Sequence, residues 1–228
     1  MTAATAAVAA LVVAAGEGRR LGLGPKAFVA LAGEPLLVHA ARALAACDEL
    51  VVVVGPAEVA RATALLHAAL GSNVVVCAGG AQRRDSVLAG LEAVREAAVV
   101  AVHDAARPLV SPALVARTVA ALVGSVRGVA PGLPVVDTLK LVDPHGRVRR
   151  TVDRKGLWAV QTPQVFLRST LAAVHAGRDL GGTTDDLQLV EAAGGAVVVV
   201  PGERTNFKIT HPEDLLLAEA VVAGRVRA

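Results

Sequence analysis

The sequence predicts an α/β fold, a mostly parallel sheet with helices on both of its faces. Short Val-rich runs alternate with longer Ala- and Leu-rich stretches of helical periodicity along the chain. Several Val-rich runs are apolar at nearly every position, as strands buried on both faces are. Glycine-rich or polar loops follow several of these runs, which is where an open α/β sheet binds its ligands.

Taken in order, strands are expected at 7–13, 49–54, 73–77, 99–103, 128–131 and 196–200. Helices are expected at 35–46, 57–70, 83–97, 112–122, 167–175, 185–193 and 212–222. Ser111 followed by Pro112 reads as an N-cap and first helical residue. Thr183 with Asp186, and more closely Thr210 with Glu213, have capping-box spacing. Residues 135–152 break the alternation. A strand over 135–142, a turn at Asp143-Pro144-His145-Gly146 and a return strand over 147–152 make a hairpin. An isolated hairpin is marginal in water. It is either an excursion of the same sheet or an arm lying on a second subunit.

Composition narrows the function classes. The 228 residues are 54% hydrophobic and 19% charged, enough for a sizeable core. With Phe 3, Trp 1 and Tyr 0, that core must be aliphatic. The net charge of +3 comes without a dense basic tract or aromatic platforms, which opposes a nucleic-acid coat. Cys47 and Cys77 can build neither a disulfide framework nor a cysteine zinc site, and a reducing cytoplasm suits them. The apolar N-terminal stretch lacks a basic flank and is shorter than the roughly 20 residues of a membrane span. It reads as a first strand behind a Thr/Ala leader. Neither nucleic acid nor membrane is expected as a partner.

The first polar loop, Ala14-Ala15-Gly16-Glu17-Gly18-Arg19-Arg20 through Pro25-Lys26, combines glycines with three cations. Glycines let backbone amides close around a phosphate, and Arg19, Arg20 and Lys26 offset its charge. Leu21 stands where a dinucleotide fingerprint needs glycine, and Gly24-Pro25-Lys26-Ala27 is not a Walker A loop. In the second loop, Ala78-Gly79-Gly80-Ala81-Gln82-Arg83-Arg84-Asp85-Ser86, backbone groups and Ser86 can hold a base edge, or simply form a βα turn. In the third, His103-Asp104-Ala105-Ala106-Arg107-Pro108, Asp104 is a natural Mg²⁺ ligand or the partner of Arg107 in a local ion pair. The fourth, Asn206-Phe207-Lys208-Ile209-Thr210, adds Lys208 as a point charge for phosphate. Cys47 and Cys77 read as small core residues, and His39, His67 and His175 as structural or surface residues. Trp158 reads as packing under the site or filling a gap.

Together with Asp85-Ser86-Val87-Leu88-Ala89-Gly90-Leu91, Asp137-Thr138-Leu139-Lys140, Thr151-Val152-Asp153-Arg154-Lys155-Gly156-Leu157-Trp158 and Gln161-Thr162-Pro163-Gln164, these segments stand in a specific order and spacing. In that order the chain resembles the 2-C-methyl-D-erythritol 4-phosphate cytidylyltransferase family over residues 8–223. The resemblance implies a three-layer Rossmann-like sheet of the nucleotide-diphospho-sugar transferase type, with a protruding β-hairpin arm. It implies one nucleotidyltransferase domain over 1–228, whose arm at 135–155 forms a homodimer. It implies transfer of CMP from CTP to 2-C-methyl-D-erythritol 4-phosphate, with Mg²⁺, in the cytoplasm.

By the same resemblance, Ala14, Ala15, Gly16, Gly18, Gly80, Ser86 and Ala105 hold CTP. Arg20, Lys26 and Lys208 are catalytic cations, and Asp104 is the metal ligand. Arg107, Thr162 and Thr184 contact the acceptor, while Thr138 and Arg154 reach the partner's site. The sequence departs from the family pattern at Val13, where many members carry Pro, and at Ala81, where many carry Asp. The first changes a strand exit. The second removes a contact to the ribose or base region, which a backbone group or Gln82 is placed to replace. Competing readings are a cytidylyltransferase for another polyol phosphate such as ribitol 5-phosphate, and a guanylyl or uridylyl transferase of the same fold. A non-catalytic nucleotide binder and a Rossmann oxidoreductase are further ones. The segment 151–158 favours the methylerythritol acceptor, and Leu21 opposes the oxidoreductase.

Overall fold

The computed structural model describes residues 6–16, 24–176 and 185–227. The expected Thr/Ala leader and the Thr183 capping position lie outside them. The main sheet is built on β1 (Val8–Val13), β4 (Glu49–Val54), β5 (Val75–Ala78) and β6 (Val99–Asp104). It continues through β7 (Val126–Pro134), β10 (Trp158–Val160), β11 (Gln164–Leu167) and β12 (Ala196–Pro201). Its order is β12-β7-β11-β6-β1-β4-β5. All neighbours are parallel except β11, which runs antiparallel to both β6 and β7. β10 pairs antiparallel with the far end of β7, following β11 along the same edge. A short hairpin, β2 (Ala30–Leu31) with β3 (Glu34–Pro35), precedes the first helix.

Helices cover both faces, as the uniformly apolar strands require. On one face α1 (Leu36–Leu44), α2 (Val59–Leu70) and α4 (Pro112–Ala120) pack Leu37, Leu44, Leu66 and Leu114 onto Ala10, Val12, Val52 and Val54. On the other, α3 (Arg83–Ala93), α5 (Arg168–Ala176) and α6 (Asp186–Ala192) pack Val87, Leu91, Leu171 and Leu187 onto Ala9, Leu11, Val51 and Val53. Alternate residues of one strand thus serve opposite cores, the period-2 rule of a pleated strand. Gly90 lets α3 lie close on the sheet, because a Cβ there would sit 2.1 Å from a Leu11 methyl. The last helix, α7 (Pro212–Arg227), contributes Ala218 to a smaller cluster with Leu31, Leu36, Leu109 and Ile209.

Several element ends differ from expectation for identifiable reasons. α3 stops at Ala93 because the Glu49 carboxylate accepts the N–H groups of Arg95, Glu96 and Ala97 at 2.7–2.9 Å. Asp185 caps α6 through Gln188 N at 3.0 Å, so Asp186 is the first helical residue rather than a capping-box acid. Asp214, not Glu213, accepts from Thr210 N and His211 N. Ser111 caps α4 as expected. β10 and β11 escaped the sequence pattern, being short and separated by Gln161-Thr162-Pro163.

The hairpin is present as β8 (Leu139–Val142) and β9 (Val148–Val152), which among the described residues pair with each other as a separate two-stranded sheet. β8 begins later than expected because β7 runs on to Pro134 and Val135 N bonds Leu157 O. Asp143 fixes the turn by accepting from His145 N, Arg147 N and Arg147 Nε, each at 3.0 Å. Trp158 neither underlies a site nor fills a gap; it is 41% exposed on β10.

Candidate functional site

The parallel register brings three strand ends to one level. Val13 stands opposite both Val53 and Asp104. Backbone bonds then tie the loops together: Ala14 N to Val53 O, Gly79 N to Val54 O and Ala105 N to Val13 O, at 2.7, 2.7 and 3.0 Å. Above them opens a cleft of about 290 Å³.

The cleft is where the sequence places phosphate chemistry. Ala14, Ala15, Gly16, Lys26, Gly80, Ser86, Asp104, Ala105 and Lys208 all line it. Lys26 opens a single 3-10 turn, Lys26–Phe28, whose Ala27 is buried. Gly80 is needed sterically, since a Cβ there would stand 2.3 Å from Asp85 Cβ. Ser86 is 1% exposed, and its hydroxyl donates to Gln82 O at 3.2 Å. Gln82 and Asp85 form a reciprocal capping box at the start of α3. The Gln82 side chain is therefore engaged in helix capping, and beside the exposed Ala81 the backbone is what the loop offers a ligand.

Asp104 ends β6 and meets Lys208 Nζ at 2.7 Å. Burial opposes ionisation of Asp104, yet Lys208 and Arg83 hold its carboxyl below the usual carboxylate range. The anticipated Asp104–Arg107 side-chain pair is replaced by this one. Arg107 instead donates through Nη1 to Asn206 O at 2.9 Å, and burial lowers its pKa. Asp104 offers one hard oxygen donor in a phosphate-sized cleft. That fits Mg²⁺, which takes one or two carboxylates and completes its shell with substrate phosphates and water.

A buried network holds this arrangement. Burial keeps His103 neutral, lowering its pKa to about 4. The geometry assigns its tautomer: Nε2–H donates to Arg107 O and Nδ1 accepts the Thr162 hydroxyl, both at 3.0 Å. The same hydroxyl accepts from Asp104 N at 3.1 Å. Asn206 Nδ2 donates to Thr162 O at 2.8 Å, and Ile209 N bonds Ala106 O. Three loops distant in sequence are thereby locked behind the cleft.

Arg107 and Thr162 thus stand beneath the cleft rather than among its lining residues. Thr138 and Arg154 are exposed at the base of the hairpin, where Arg154 donates to Val136 O. Gly18, Arg20 and Thr184 lie outside the described residues. The sequence did not single out Arg83, which lines the cleft. The signal was available: an arginine opening a helix directly after a glycine-rich strand exit.

A family model described as 2-C-methyl-D-erythritol 4-phosphate cytidylyltransferase matches residues 8–224. A relative of that name from Frankia casuarinae is 49% identical over 220 residues, covering 95% of this chain and 81% of the relative. Another, from Rhodococcus opacus, is 49% identical over 219 residues, covering 94% of this chain and 95% of the relative. The crystal structure of the Thermus thermophilus protein of that name superposes with a TM-score of 0.76 at 38% identity, covering 93% and 98% of the two chains. By match, length and architecture, the chain belongs to the 2-C-methyl-D-erythritol 4-phosphate cytidylyltransferase family.

Proposed function

We propose that the cleft transfers CMP from CTP to 2-C-methyl-D-erythritol 4-phosphate, giving 4-diphosphocytidyl-2-C-methyl-D-erythritol and pyrophosphate. An oxygen of the acceptor phosphate attacks the CTP α-phosphorus, and the bond from that phosphorus to the β-bridging oxygen breaks. The acceptor oxygen is already anionic at neutral pH, so the chain needs neither a general base nor a covalent intermediate. Its task is to bring two anions together and hold them in line.

The observation that carries this reading is the meeting of Lys26, Asp104 and Lys208 in one cleft with Gly80 and Ser86. Lys26, with Arg20, compensates charge on the triphosphate, and Lys208 does so between the two substrates. Bound through Asp104, Mg²⁺ would supply Lewis-acid stabilisation of the phosphates. Gly80 and Ser86 receive the cytosine, and Ala14 to Gly18 the phosphates. Arg107, Thr162 and Thr184 serve the acceptor side, Arg107 and Thr162 by shaping the floor beneath it.

The same reading treats 1–228 as one nucleotidyltransferase domain working in the cytoplasm as a homodimer. Val136, Leu141, Val142 and Val148 on the hairpin are 48–59% exposed, apolar surface of the kind a second copy covers. Thr138 and Arg154 would then reach the partner's cleft. Pyrophosphate release from CTP tests the function, with ribitol 5-phosphate as the comparison acceptor and GTP and UTP as comparison nucleotides. Release is expected only with CTP and the methylerythritol acceptor; turnover with ribitol 5-phosphate alone would overturn the acceptor assignment.

A further inference from the structure

Two ion pairs reach the cleft, the first with both partners on its wall and the second with one. One is Asp104–Lys208. The other joins Arg83, the first residue of α3, to Asp186, the first residue of α6, with Nη2 to Oδ2 at 2.7 Å. The two partners differ sharply in solvation: the Arg83 side chain is 32% exposed and the Asp186 side chain 1%.

Asp186 is held from several directions. His175 Nε2 lies 2.9 Å from Oδ1, and Asp186 N donates to the buried Gln164 Oε1 at 3.1 Å. Arg84 from α3 donates to His175 O, tying the imidazole's own backbone into the cluster. A dry carboxylate is a poor way to gain stability, because an apolar group of similar volume often serves as well or better. What a fixed carboxylate gives is place. Its charge holds the planar guanidinium at this wall, and the guanidinium's fork of N–H donors matches phosphate.

We propose that Asp186 is a positioning residue for nucleotidyl transfer, anchoring Arg83 on the α3 wall of the cleft so that its guanidinium takes a phosphate group of the bound nucleotide. Asp104 is the competing carboxylate: its charge and that of Arg83 act on each other across the cleft. With Asp186 in place, Arg83 stays on its own wall and Asp104 keeps Lys208. His175 supports the anchor from behind. The proposal rests on the assignment of the cleft to CTP.

The test compares Asp186→Asn, Arg83→Gln, the double variant and Arg83→Lys with the wild type. It reads kcat, KM for CTP, KM for the acceptor, calorimetric CTP affinity and thermal midpoint. Displacement of a substrate-positioning group costs up to about 100-fold. Asp186→Asn and Arg83→Gln should each raise KM for CTP by roughly 10- to 100-fold and leave KM for the acceptor within about 3-fold. The double variant should match Arg83→Gln. Arg83→Lys keeps the charge beside Asp186 and loses the fork, so an intermediate KM is expected. A wild-type KM for CTP in Asp186→Asn, with only a lower thermal midpoint, shows a purely structural pair and overturns the proposal. Multiplying effects in the double variant do the same. If Asp186→Asn does not fold, His175→Asn and Arg83→Lys carry the test. Should the wild type bind CTP yet release no pyrophosphate, the functional reading fails, while calorimetry on the same variants still decides the role of Arg83.

Discussion

Lys208 Nζ lies 2.7 Å from Asp104 Oδ2, joining two loops 104 residues apart on the wall of the cleft. The lysine is 44% exposed and the aspartate 17%, so solvent screens the pair only on the lysine side. Lys208→Met should lower kcat by about 10²-fold, the usual cost of one stabilising donor, and lower the thermal midpoint by a few degrees as Asp104 loses its partner. Steady-state kinetics beside a melting curve checks this, and a kcat near wild type contradicts it.

Lys26 should separate binding from chemistry in the same way. Lys26→Ala is expected to lower kcat more than it weakens CTP binding, because the charge it meets grows on the leaving pyrophosphate. Calorimetry with CTP and single-turnover rates give the two numbers. A large loss of affinity with kcat preserved would place Lys26 in ground-state binding instead.

His103 predicts a pH dependence of stability. Its folded pKa is depressed to about 4 from 6.5, so between these values the unfolded chain binds a proton that the folded chain does not. The contribution is complete above about pH 6.5 and is lost as pH falls toward 4. Its size is on the order of 3 kcal/mol. Denaturant titrations from pH 7.5 to 4.5 should show stability falling on acidification. His103→Gln should flatten that segment of the curve, and an unchanged slope would refute the neutral assignment.

One packing site and one capping side chain should be intolerant. Gly90→Ala forces a methyl into Leu11 and should cost about 1–3 kcal/mol. Glu49→Gln cannot accept three N–H groups as the carboxylate does and should also cost about 1–3 kcal/mol. Urea unfolding reads both, and neutral behaviour at either position removes the corresponding packing or capping role.

The hairpin makes an oligomer prediction. Leu141→Asp with Val148→Asp places charge on an apolar patch that a second copy would bury. Light scattering should show dimer becoming monomer, with activity falling as Thr138 and Arg154 leave the partner's cleft. A monomeric wild type, or an unaltered dimer in the variant, contradicts the arm's role.

The sequence exposed the strands of the sheet's parallel half because Val-rich runs buried on both faces have no polar positions to confuse the pattern. β10 and β11 were not legible: three or four residues carry too little periodicity, and their place is set by pairing with β7. The cleft's backbone and cations, from Ala14 to Lys208, could be read because each lies in a loop at a strand's carboxyl end. Arg83 lies at such a strand exit as well, but its partner Asp186 stands more than a hundred residues later and is brought beside it only by the packing of α6, so the pair was not legible. The partners of Asp104 and Arg107 were likewise settled by tertiary geometry, as local spacing offered them each other.

The most direct measurement is pyrophosphate release by the purified full chain supplied with CTP, 2-C-methyl-D-erythritol 4-phosphate and Mg²⁺, alongside Lys26→Ala and Asp104→Asn. Stoichiometric formation of pyrophosphate and the cytidine diphosphate conjugate is expected from the wild type, with both variants slower by about 10²-fold or more. Equal release by all three proteins would contradict the placement of the chemistry in this cleft.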